Sequence, residues 1–249
     1  MRLLLDFLLR FGWGLTAGLV ITSPAVVTAG FFRVDSLVAM GLATFAALLA
    51  PAAGGSWPLP AAAAVAAWMA SVAWLGEKRW AGIVLCAATA LLLAAATILV
   101  PAGTAAPATA RIFGAASPAV DRLVSGLVVG LTVHAMLLGH WYLNAPGMSV
   151  AALRRAIGQA LAAWGGGLAV AVIGAASTLP ATLRAADSAT LALLALRWLA
   201  GLLGLPILLV MARKTLDIPN TQSATGILYV ACLAAILGEL TAQLLAAAT

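Results

Sequence analysis

Residues 189–212 read ATLALLALRWLAGLLGLPILLVMA, and residues 223–247 read SATGILYVACLAAILGELTAQLLAA. Each run is long enough for one helix to cross a bilayer, which takes about 20 predominantly apolar residues. Each is broken by a single charge, Arg197 in the first and Glu239 in the second. A charge in hydrocarbon is expensive, so it is normally paired, functional or both. These two stretches define an integral membrane protein and its first candidate site together.

Working outward, the rest of the chain repeats the pattern. Of its 249 residues, 64% are hydrophobic and 8% charged, with mean hydropathy +1.12. Soluble domains carry roughly a quarter charged residues, and a soluble core has no use for this much apolar surface. The predicted fold is all-α, a close-packed bundle of about eight transmembrane helices near 8–31, 36–53, 59–76, 80–101, 120–143, 153–177, 189–212 and 223–247. Residues 1–249 form one membrane domain, with a four-helix half over 1–101, a second over 118–249, and an Ala/Pro/Thr-rich connection over 102–117 carrying only Arg111. The first run contains Asp6 and Arg10 and reads as a retained helix rather than a signal peptide.

Basic residues orient the bundle. With eight spans, one side collects Arg33, Lys78, Arg79, Arg154, Arg155, Arg213 and Lys214, and the other Arg2, Arg10, Arg111, Arg122 and Arg184. The richer side is expected in the cytoplasm of an inner-membrane protein, with both termini outside. The net charge of +6 has no basic tract behind it. It fits topology and contact with anionic lipid, not nucleic acid.

Arg197 and Glu239 each lie about eight residues from the outer end of their spans, roughly 12 Å deep at ~1.5 Å per residue. Neighbouring helices on a short connection pack antiparallel, so the two charges can meet as a buried ion pair or a proton site. Pro206 is expected to kink the seventh span. Asp6 and Arg10 stand at i, i+4, the spacing of a local ion pair. Gly14/Gly18 and Gly126/Gly130 are small-residue pairs that let helices approach closely. Thr221 or Ser223 is expected to cap the last helix after Pro219.

His134 and His140 are the chain's two histidines and its candidate cofactor contacts. Six residues apart on one helix, they point about 120° apart and ~9 Å along the axis, so they cannot clamp one metal together. One of them can still serve a haem or chlorophyll-type pigment as a single axial ligand, and His134 can hydrogen-bond a quinone. The alternatives are a hydrogen-bonded structural role for His134 and a place for His140 in the interfacial belt with Trp141 and Tyr142. Cys86 and Cys232 lie in apolar runs and read as buried small residues, with no metal-type spacing.

No nucleotide-binding, zincin or nucleophile-elbow motif occurs in the sequence, and no catalytic residue set is assigned. Three functional readings follow. The first is a membrane subunit of a larger respiratory or photosynthetic electron-transfer complex, with other membrane subunits as partners beside the lipid bilayer. The second is a secondary transporter or channel for a small solute or protons. The third is a membrane-embedded lipid or isoprenoid enzyme.

Overall fold

The computed structural model describes residues 1–100, 118–145, 147–185, 187–218 and 220–248; the side chains of 174–185 and 247–248 fall outside that description. The connection over 102–117, with Arg111, lies outside the described residues, as does Pro219. Every regular element among the described residues is helical. The order is α1 Arg2–Ile21, α2 Ala29–Leu49, a 3₁₀ turn Pro51–Ala53, α3 Pro58–Leu75, α4 Arg79–Leu99, α5 Pro118–Asn144, α6 Val150–Ala185, α7 Ser188–Leu196, a π-helical segment Arg197–Gly204, α8 Leu205–Thr215 and α9 Thr221–Ala248. Counting α7 to α8 as one run, eight helical stretches are long and apolar enough to cross a membrane.

The first two boundaries differ from the expected 8–31 and 36–53. α1 stops at Ile21, where Thr22 turns extended (ψ 128°). Pro24 drives this, because its ring disfavours helical geometry at Ser23. The following Ala-Val-Val is as apolar as the helix it leaves, so hydropathy does not mark the break. The helix that follows starts at Ala29 and takes Asp35 and Ser36 into its interior, 2% and 1% exposed. The expected bounds place Asp35 in the connection between the first two spans.

Small residues set the spacing of the bundle. α2 and α3 face each other through Ala39, Ala43 and Ala46 against Ala63, Ala67 and Ala70, none more than 1% exposed. α1 lies on α5 at backbone distance. A Cβ on Gly14 would overlap the Gly126 carbonyl, and one on Gly130 would overlap the Gly14 backbone. In lipid, where no apolar driving force acts between helices, such close van der Waals contact would do much of the holding. Cys86 and Cys232 are free and buried.

The seventh span is irregular along eight residues from Arg197, not only at Pro206. In this segment the chain bonds five residues back, as in Leu205 N–H to the Ala200 carbonyl. Pro206 has no N–H to donate and its ring crowds the carbonyl of Leu202, so the turn before it gains from widening. The last helix is capped by Asn220, whose Oδ1 accepts from Ser223 N–H at 3.0 Å. This corrects the expected Thr221 or Ser223 cap: Ser223 supplies the N3 donor that an N-cap satisfies.

Candidate functional site

The N-terminal ends of α1 and α5, the π-helical segment and the C-terminal part of α9 bring six charges to one end of the bundle. Three are acidic (Asp6, Asp121, Glu239) and three basic (Arg10, Arg122, Arg197). Arg10 is the hub and is 8% exposed. Its Nη2 lies 2.5 Å from Asp6 Oδ2, the i, i+4 pair expected from the sequence. Its Nη1 lies 2.8 Å from Glu239 Oε1, 2.9 Å from Ser125 Oγ and 3.9 Å from Asp121 Oδ2. One guanidinium therefore joins α1, α5 and α9, and its rigid fork suits that task.

Glu239 is 7% exposed. Besides Arg10, its Oε1 accepts from Gln243 Nε2 at 2.9 Å and from Ser125 Oγ at 3.3 Å. Gln243 thus bonds within its own helix at i, i+4. Arg122 sits 3.6 Å from Asp6 Oδ1 through Nε, and its Nη1 donates to the carbonyls of Val100 at 2.6 Å and Thr97 at 3.4 Å. These are orphan carbonyls at the end of α4, which a cation there satisfies.

Arg197 joins Glu239 and Asp121 in lining a cavity of about 60 Å³ between α5, α6, the π-helical segment and α9. Ser125 and Trp164 line it too, and the buried indole N–H of Trp164 has no hydrogen-bond partner among the described residues. The sequence brought Arg197 and Glu239 to one depth, and both reach this one space. What it missed is that Arg10, 229 residues away from Glu239 in the chain, is the close partner of that carboxylate. The available signal was Arg10 itself, an arginine inside an apolar run. The cavity exceeds the ~10–15 Å³ that one water needs and presents Asp121, Ser125, Arg197 and Glu239 in an otherwise largely apolar lining, so it has room for a few waters or a solute of a few heavy atoms. Gly201 and Gly238 form the wall where the π-helical segment meets α9, and a Cβ on Gly238 would lie 2.7 Å from the Gly201 Cα.

The histidines lie elsewhere. His134 is fully buried. Its Nε2 is 2.8 Å from Thr22 Oγ1, Phe31 meets its ring edge-on at 5.5 Å, and a Cβ on Gly18 would sit 2.5 Å from its Cγ. His140 is at the surface, with Nδ1 3.0 Å from Tyr229 Oη. No group of three or more His, Cys, Asp or Glu able to hold a metal occurs among the described residues.

No family model matches this chain, and no curated protein or solved structure is significantly similar to it.

Proposed function

We propose that this chain is a membrane transport protein, carrying protons through the cavity shared by Asp121, Arg197 and Glu239. The observation behind this reading is a buried carboxylate facing a water-sized space at a widened helical turn. Ionisable groups at membrane depth that face a cavity commonly mark solute or proton paths, because their desolvation is costly to retain otherwise. π-helical turns also recur at functional sites.

The proposed chemistry uses the shared Arg10. A proton delivered through cavity water adds to Glu239 and removes its charge. Arg10 then keeps Asp6 and Asp121 as its anionic neighbours, while Glu239 is free to turn from the guanidinium. Loss of the proton restores the 2.8 Å pair. Ser125 Oγ, bonded to both groups, can hold the carboxyl during the exchange. By the charge bias of its loops, the chain sits in the cytoplasmic membrane with this corner near the outer face.

The test is reconstitution into vesicles loaded with a pH-sensitive dye, with proton flux driven by a potassium diffusion potential. The protein should raise flux above that of protein-free vesicles, and Glu239→Gln should remove most of the increase while eluting as a folded particle. Flux equal to that of empty vesicles, or an undiminished flux in Glu239→Gln, would sink the proposal.

A further inference from the structure

We propose that Asp35 is a second, separate proton-binding site inside the membrane, held as a neutral carboxylic acid in the interior of α2. It lies six residues beyond the first residue of α2, about 9 Å in at ~1.5 Å per residue, and is 2% exposed. Its Oδ2 has no hydrogen-bond partner.

The surroundings supply no counter-charge. α3, which packs most extensively on α2, contains no ionisable residue over Pro58–Leu75. α4 brings the thiol of Cys86, whose Sγ lies 3.7 Å from Ser36 Oγ. The Ser36 hydroxyl is itself directed to the Phe32 carbonyl at 2.7 Å. Trp74 stacks on Phe32 with ring centroids 4.4 Å apart and adds an apolar wall. From α1, Asp6 and Arg10 belong to the opposite corner, with Asp121 and Arg122 of α5. From α5 on this side, His134 is bonded to Thr22. Arg33, on α2 itself, and Glu77, Lys78 and Arg79, where α3 leads into α4, are all exposed.

A bare carboxylate in such a place would bear the full loss of hydration with nothing in return, and a buried acid escapes that by taking a proton. The contrast with Glu239 is chemical: Glu239 has a guanidinium at 2.8 Å, and Asp35 has no cation within reach among the described residues. α1 and α2 are consecutive spans on a short connection, so Asp35 lies toward the end of the bundle opposite Asp6. The inference does not depend on the transport reading, since a neutral Asp35 is a statement about one side chain.

Infrared spectroscopy of the full-length protein in vesicles tests it, with aspartate side-chain carboxyls carbon-13-labelled. At neutral pH the parent should show an isotope-shifted C=O band of a protonated carboxyl. The band should vanish in Asp35→Asn and persist in Glu239→Gln. If Asp35→Asn does not fold, Asp35→Glu places an unlabelled acid there and should move the band to the unlabelled position. Loss of carboxylate intensity in Asp35→Asn, with the protonated-carboxyl region unchanged, overturns the proposal. So does the absence of any protonated-carboxyl band that responds to either substitution.

Discussion

The two ends of α1 hold the same neighbour, α5, by different physics. At the Arg10 end the contact is ionic: one guanidinium gathers Asp6, Glu239, Ser125 and, at 3.9 Å, Asp121. At the Thr22 end it is steric and neutral. Gly18 gives its missing Cβ to the His134 ring, Thr22 bonds that ring's Nε2, and Trp141 donates to Thr28 Oγ1 at 2.9 Å. Between them lies the glycine seam of Gly14, Gly126 and Gly130. A bundle held by shape alone has no need of six charges. Their concentration at one end, where a cavity opens, is what separates a site from a seam.

The largest effect should come from Arg10→Ala. Removing one partner of a buried pair leaves the others uncompensated, which costs about 3–5 kcal/mol. A large drop in thermal midpoint in detergent is expected, and an unchanged midpoint would show that the ionic end carries no more than the neutral one. Next comes Gly14→Leu. No rotamer avoids the α5 backbone, so α1 and α5 must separate, and overpacking of this kind costs about 1–3 kcal/mol or more. A cysteine pair placed across α1 and α5 would report the separation by lost crosslinking. At the neutral end, Thr22→Val keeps shape but strands a buried His134 nitrogen, for about 1–2 kcal/mol. It should leave proton flux at the parent level, because Thr22 is remote from the cavity; a loss of flux equal to that of Glu239→Gln would erase the distinction between the two ends. The smallest effect should be Trp141→Phe, which gives up one exposed hydrogen bond worth about 0.5 kcal/mol and should move the midpoint within the scatter of the measurement.

Much of the fold was legible because each helix is a long apolar run, of the length and composition that crossing a bilayer takes. The runs from 58 onward start within three residues of their expected bounds, while α6 continues to Ala185, past its expected end at 177. The exception is instructive. Residues 22–28 stay apolar through a real break at Ser23-Pro24, so hydropathy slid both flanking helices toward the C-terminus and hid Asp35 in a supposed connection. In the candidate site, the Asp6–Arg10 pair was legible because helix geometry is local. The Arg10–Glu239 bond was not, because it depends on how α1 and α9 are brought together around α5, which periodicity does not encode. The expectation of a redox-complex subunit drew on eight close-packed helices, short loops, one histidine expected near the middle of its span and no self-contained redox set. With His134 engaged by Thr22, Phe31 and Gly18, that residue has a local explanation, and the weight of the proposal moves to the cavity. Stoichiometric redox proteins co-purifying in mild detergent would move it back.

The π-helical segment has a consequence for the two halves of the seventh span. An α-helix turns about 100° per residue and a segment bonded i→i+5 turns less per residue, so relaxing all of 197–204 to i→i+4 bonding, with no residue removed, would rotate α7 against α8 by about one residue's turn. Arg197 stands at the first position of the segment and would swing with α7 while Pro206 and α8 stayed fixed on α9. A single-residue deletion here is therefore a different experiment from any substitution: it lets the segment close as an α-helix with α7 and α8 still facing as they do now, and asks whether the cavity needs the widened turn itself.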